Sequence, residues 1–141
     1  MKIIQLLGRI GLALSVTLFV FGARASSAED ALKSGKILQR TDLVGAKGFE
    51  AILVLRELPP GGESGKHTQN GNEFVYVLQG SVIFEAQGKA PITLKAGESF
   101  QTTAGEVHNV KNASASEPGK ALAFYIARKG TLLEDLSVPA K

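Results

Sequence analysis

Between Gly61 and Asn112 glycines interrupt the chain so often that only short apolar segments separate them, and both of its histidines fall in that stretch. The order is Gly61-x5-His67-x-Gln69-x3-Glu73-x6-Gly80, then Gly97-x5-Thr103-x-Gly105-x2-His108-x3-Asn112. Glycine supplies the backbone freedom that tight turns need. The segments between the turns read as β-strands at 73–79, 81–87, 91–95, 98–103 and 107–111. A short edge candidate at 37–39 and a long run at 49–58 precede them, and a last long strand at 121–129 follows. A Gly- and Asn-rich loop over 61–72 carries His67 and Gln69. Short strands with turn signals about every eight to twelve residues predict an all-β sandwich or barrel.

Side-chain alternation adds direction. If Glu73 points inward, so do Val75 and Val77, and Phe74, Tyr76 and Leu78 face the other side. Both faces of this strand are apolar and both call for cover. A second sheet suits one face; a partner subunit or the N-terminal segment suits the other. His108 and Val110 share one face, and Asn109 and Lys111 the opposite one. The expected pocket is a metal site ringed by valines.

His67, Glu73 and His108 are ligand types for divalent metals. Two imidazoles and one carboxylate on one side of an ion leave coordination positions open, a set that favours Fe(II) or Mn(II), with Ni(II) and Zn(II) as alternatives. These residues and spacings resemble the cupin superfamily, whose pattern is G-x5-H-x-H-x3-4-E-x6-G followed by G-x5-P-x-G-x2-H-x3-N. The spacer between the two motifs, residues 81–96, is short, as in small microbial cupins. Two positions depart: Gln69 stands where the pattern has its second histidine, and Thr103 where it has proline. The resemblance extends from about Lys36 to Lys129. It implies a conical antiparallel, jelly-roll-like double-stranded β-helix with metal ligands His67, Gln69, Glu73 and His108. Gln69 has two readings: a neutral fourth ligand through its amide oxygen, similar to the Gln ligand of cupin-fold phosphomannose isomerases, or a group that faces a bound water or the substrate.

The first 25 residues read as a cleavable signal peptide. Lys2 and Arg9 open it, 10–22 is an uncharged apolar run, and Ala23-Arg24-Ala25 is a small-x-small cleavage site. Thirteen residues are too few for a membrane span, which needs ~20. The expected organisation is 1–25 signal peptide, 26–35 flexible segment, 36–131 barrel domain and 132–141 C-terminal tail, in a periplasmic or secreted protein with no stable membrane anchor after cleavage. Without Lys2, Arg9 and Arg24, the 16 basic residues fall to 13, against 13 acidic ones. A near-neutral chain with no basic run argues against nucleic acid as a partner. The absence of cysteine removes thiolate nucleophiles and thiolate metal sites.

Other motifs lead nowhere. Residues 61–66 resemble a phosphate loop but have three residues between the glycines instead of four, and His67 stands where Ser or Thr belongs. Asn112-Ala113-Ser114 matches a glycosylation triplet, yet Asn112 closes the second motif, so a structural role is expected. Glu63, Lys66 and Glu106 read as solvated charges near the barrel mouth. No catalytic base is identifiable. The leading expectation is a metal-dependent exported enzyme acting on a small molecule, dioxygenase-like, with metal-assisted isomerase or lyase chemistry as the second enzymatic option. The rival is a non-catalytic module that binds or senses a sugar or small acid; a structural or storage role is the third. A homodimer is expected from the two-faced apolar strands, with residues 36–40 near the partner.

Overall fold

The computed structural model describes residues 35–131 and 134–135. The signal peptide and nearly all of the 26–35 segment lie outside the described residues. Among the described residues ten strands run in chain order: β1 Lys36–Asp42, β2 Phe49–Leu58, β3 Thr68–Gln69, β4 Gly71–Gln79, β5 Ser81–Ala86, β6 Ile92–Lys95, β7 Ser99–Thr102, β8 His108–Asn112, β9 Gly119–Arg128 and β10 Glu134–Asp135. They form a five-stranded sheet in the order β1-β2-β9-β4-β7, a three-stranded sheet β6-β5-β8 and a small pair β10-β3. Every pairing is antiparallel.

The two larger sheets enclose one core. From the five-stranded sheet come Ile52, Val54, Val75, Val77, Ala121, Ala123 and Tyr125; from the other come Val82, Phe84, Ala86 and Leu94. These are the alternate residues of their strands, as a period of two requires. Burying each Val, Leu, Ile or Phe side chain is worth about 1.5–3 kcal/mol. The chain passes from one sheet to the other at Gly80, the single residue between β4 and β5, where φ is +75°. A side chain there would be strained. Gly71 is constrained for a different reason: an added Cβ would lie 2.2 Å from the Ile126 carbonyl oxygen, so only glycine lets β4 start this close to β9.

The 49–58 run is β2, end to end. The edge strand β1 is longer than the three residues expected, because β2 offers it a full antiparallel register from Lys36↔Leu55 to Asp42↔Glu50, with one irregularity near Leu38. The 61–72 stretch is more than a loop. Isolated bridges join Glu63 to Lys111 and His67 to His108, so this segment ladders against β8 although its glycines break the strand. Glu134 and Asp135, in the stretch read as a tail, pair with Gln69 and Thr68.

The alternation expected on β4 is present. Glu73, Val75 and Val77 are buried, whereas Phe74, Tyr76 and Leu78 are 42%, 47% and 44% exposed. Phe74 lies opposite Phe124, and Tyr76 opposite Leu122, on the outer face of the five-stranded sheet.

Candidate metal centre

The site is assembled by three strand pairings. His67 and His108 exchange backbone hydrogen bonds, each N–H donating to the other's carbonyl at 3.0 Å. That narrow pair sets their rings 4.3 Å apart, centroid to centroid. Gln69 follows two residues after His67, so its side chain returns to the same face. The Gly105 N–H donates to the Gln69 carbonyl at 3.0 Å and ties this short strand down. Glu73 arrives on β4 directly opposite Tyr125 of β9 and Thr102 of β7.

Both imidazoles are held by their outer nitrogens. His67 Nδ1 is 2.8 Å from the Gly65 carbonyl and His108 Nδ1 is 2.9 Å from the Glu106 carbonyl. A carbonyl only accepts, so each Nδ1 carries the proton and each Nε2 presents a lone pair to the interior. Burial lowers the pKa of both rings, which keeps them neutral. Neutral, tautomer-fixed imidazole is the state a metal requires.

Gln69 fills the space between the other groups. Its Nε2 donates to His67 Nε2 and to Glu73 Oε2, each at 3.1 Å. Its Oε1 is buried with no hydrogen-bond partner, and so is His108 Nε2. His108 Nε2 lies 3.7 Å from Glu73 Oε2. With the amide in this place, no three His, Asp or Glu side chains among the described residues close around one point. An unpaired buried polar atom costs about 1–3 kcal/mol, and this centre holds two of them, both acceptors. Turning the Gln69 amide over would aim Oε1 at the same point as His67 Nε2, His108 Nε2 and Glu73. Four acceptors facing one another are stable only around a cation. Two imidazole nitrogens, a carboxylate and an amide oxygen fit a first-row divalent ion.

Glu73 carries the most partners. Thr102 Oγ1 donates to its Oε2 at 3.3 Å, and the Tyr125 hydroxyl bonds to it as well. Burial raises its pKa, opposed by the Tyr125 bond and by the Arg56 charge. A bound cation would favour the carboxylate form. Arg56 Nη2 donates to the Tyr125 hydroxyl at 2.9 Å, completing an Arg56–Tyr125–Glu73 chain. Tyr125 is held far above the ordinary phenol range by burial and by the Glu73 charge.

The four expected site residues come together. Tyr125, Arg56 and Thr102 are neighbours that sequence reasoning missed. The available signals were faint: one bulky Tyr125 among the inward alanines Ala121, Ala123 and Ala127, and one charge, Arg56, in phase with Ile52 and Val54. The valine ring is only partial. The pocket beside the centre opens to solvent; Val75 and Val110 share its wall with Leu58, Phe100, Ala121 and Ala123.

Of the three charges expected to be free in solvent, Glu63 and Glu106 are engaged. Glu63 and Glu85 accept from Asn109 Nδ2 at 2.8 and 3.2 Å, and Lys111 pairs with both. Glu106 pairs with Lys89, whose hydrogen bond holds its carboxyl below the usual carboxylate range. Thr103 also has a physical role: its N–H lies 3.4 Å from Glu106 Oε2, a bond that proline in this position would forbid.

A two-sheet antiparallel barrel with histidines on facing segments defines a class of β-barrel proteins. Residues 54–125 match the family model described as the cupin domain, and the chain belongs to that family. Over 82 residues it is 34% identical to the β-alanine degradation protein BauB of Pseudomonas aeruginosa, covering 56% of this chain and 85% of BauB. Among solved structures it is similar to a conserved double-stranded β-helix protein from Klebsiella pneumoniae (TM-score 0.57, 20% identity, covering 72% of this chain and 84% of that one). It is also similar to the DMSP lyase DddQ from Ruegeria pomeroyi (TM-score 0.55, 22% identity, 68% of this chain but only 46% of that one). At these identities the structural likenesses show the fold alone.

Proposed function

We propose that this cupin is an exported protein that binds one divalent metal ion through His67, Glu73 and His108, with the Gln69 amide oxygen as a weaker fourth donor, and acts on a small molecule in the adjoining pocket. The observation that carries this reading is the buried lone pair of His108 Nε2, left without a partner beside Glu73. An ion there supplies Lewis acidity and open positions for a chelating ligand. Fe(II) or Mn(II) suits the donor set best, with Ni(II) and Zn(II) as alternatives. The residues have separate tasks. Gly65 and Glu106 fix the imidazole tautomers, Thr102 and Tyr125 orient Glu73, and the apolar wall lines the pocket beside them. BauB and DddQ carry names that refer to small molecules, in keeping with this pocket.

A dioxygenase-like reaction is the leading chemistry, with isomerase or lyase chemistry next. A non-catalytic binding role is favoured by one observation. Among the described residues on the pocket wall, the proton-carrying groups at the centre are the candidate ligands themselves, and the remaining charged ones are Arg56 and the rim residue Glu57. Protein purified from its exported fraction decides between them. Elemental analysis should find about one divalent ion per chain, the intact mass should lack the first 25 residues, and oxygen uptake should appear with a member of an enolic and catecholic panel. Metal without turnover on any member would favour the binding module; absence of metal would reject the centre.

We also propose a homodimer with two-fold symmetry through the outer face of the five-stranded sheet. Phe74, Tyr76, Leu78 and Phe124 are partly exposed there, and edge strand β1 carries exposed Ile37 and Leu38. Contiguous apolar exposure of this kind marks an interaction surface. Light scattering at micromolar concentration should give twice the chain mass, and Phe74→Lys should shift it to the monomer. A monomeric mass for the unaltered protein would reject the interface.

A further inference from the structure

We propose that the ligand of this pocket is a small molecule with one polar head, which meets the centre at His108, and an apolar body without hydroxyls, which lies on Val75, Phe100, Val110, Ala121 and Ala123. This deepens the proposed function by naming its ligand class, and it rests on that reading only in placing the ligand in this pocket. Away from the centre the polar side chains on the described wall are Arg56, Glu57 and Ser64, and each is engaged within the protein. Arg56 Nη2 donates to the Tyr125 hydroxyl at 2.9 Å, and Arg56 has a further partner besides. Glu57 is exposed at the rim, where its Oε1 pairs with Lys120 Nζ at 3.1 Å. Ser64 Oγ accepts from the Val110 N–H at 3.0 Å and lies 3.1 Å from the Gly65 carbonyl and 3.2 Å from Asn109 Oδ1.

At the centre, His67 Nε2 and Glu73 Oε2 accept from Gln69 Nε2. Among the buried polar side-chain atoms of the described wall, His108 Nε2 is the one without a partner. A ligand therefore finds one place for a polar group. A hydroxyl laid anywhere else on this wall gives up water without a bond in return, which costs about tenfold or more in affinity. A sugar, with a hydroxyl on nearly every carbon, matches the wall poorly. An alkyl or aromatic body avoids that cost and gains about fourfold for each buried methylene.

The room for this body comes from β9. Ala121 and Ala123 stand opposite Val77 and Val75 of β4, and opposite Arg56 and Val54 of β2. Two methyl-sized side chains among larger ones leave the space that the pocket occupies. Across it, Phe100 stacks on Phe84 with centroids 4.4 Å apart, which holds this face of the wall in place. The apolar wall carries no metal donor, so its preference for the body is the same with and without an ion. In the metal-free chain an alcohol head donates to His108 Nε2; with an ion bound, the head is an oxygen chelator.

The test follows the methyl signals of Ala121 and Ala123 by NMR in the purified exported protein, labelled at its alanine methyls. The chelated protein is titrated with 1-propanol, 1-butanol, 1-pentanol, cyclohexanol and inositol. Affinity should rise about threefold to fourfold with each methylene of the alcohols. Cyclohexanol should shift both methyl signals and bind at least about tenfold more tightly than inositol, the same ring with a hydroxyl on every carbon. Ala123→Val fills part of the space and should weaken cyclohexanol by about tenfold. The Zn(II)-loaded protein should bind hexanohydroxamate at least about tenfold more tightly than acetohydroxamate. Inositol matching cyclohexanol, no gain with alcohol length, unmoved alanine methyls, or unchanged cyclohexanol affinity in a folded Ala123→Val would each overturn the proposal. Should Ala123→Val fail to fold by circular dichroism, the ring comparison and the alcohol series decide. Zn(II) stoichiometry, read separately, reports on the metal centre. No bound zinc with the alcohol pattern intact would reject the centre and leave the ligand class standing; bound zinc with hydroxamates indifferent to chain length would reject the ligand class and leave the centre.

Discussion

Replacing His108 with alanine is expected to abolish stoichiometric binding of a divalent ion. Its Nε2 is the one imidazole nitrogen of the centre with no hydrogen-bond partner, and its Nδ1 is committed to the Glu106 carbonyl, so Nε2 is the ring atom left to an ion. Losing even an outer partner of a ligand costs roughly 10–100-fold in metal affinity; losing the ligand itself should cost more. Glu73→Gln should weaken binding strongly, because the centre would lose its carboxylate charge. Gln69→Ala should cost less, since a neutral amide contributes less than imidazole or carboxylate, and it also frees the space its NH2 group fills between His67 and Glu73. Equilibrium dialysis with Mn(II) or Zn(II) measures all three. Unchanged affinity in His108→Ala would mean that the ion sits elsewhere.

The second large effect is expected at Asn112, and it concerns stability instead of metal. Asn112 Nδ2 lies within hydrogen-bond reach of the carbonyls of Leu58, Pro59 and Glu117 at 3.1, 3.1 and 2.8 Å, and its Oδ1 accepts from the Ser114 N–H at 2.9 Å. One buried amide thereby ties the end of β2 to the end of β8. Ser114 extends the knot, since its carbonyl accepts from the Gly61 N–H at the start of the segment that leads to His67. Asn112→Ala leaves several of these backbone groups unsatisfied, and each costs about 1–3 kcal/mol. A total loss of about 3 kcal/mol is expected in denaturant unfolding. Asn112→Asp keeps the shape but replaces the donor with a second acceptor, so it should be no better. A loss below about 1 kcal/mol in both variants would show that water replaces the amide. The same burial explains why the Asn112-Ala113-Ser114 triplet is a structural element.

Much of the fold was legible because it is local. The 49–58 run reads directly as β2, and the alternation Glu73, Val75, Val77 against Phe74, Tyr76, Leu78 separates the inner from the outer face. Position in the two motifs brought His67, Gln69, Glu73 and His108 to one place, and they meet there. What was hidden depends on long-range register. Tyr125 reaches the site only because β9 pairs with β4 so that Glu73 lies opposite it, and Arg56 only because β2 pairs with β9. No local period encodes either pairing. The ladder of Glu63 and His67 against β8 was masked by the glycines around it, and the β3–β10 pair is too short to leave a pattern. The orientation of the Gln69 amide was equally beyond the sequence, because it depends on which acceptors surround it.

That amide is where the metal centre is most exposed to test. A crystal grown with Mn(II), with anomalous scattering recorded on and off the metal edge, should show one peak per chain. The peak should lie about 2.0–2.3 Å from His67 Nε2, His108 Nε2 and a Glu73 oxygen, with the Gln69 oxygen turned toward it. A crystal soaked in the same ion that shows no peak there, with the Gln69 NH2 group still bridging His67 and Glu73, would contradict the assignment of this site as a metal centre.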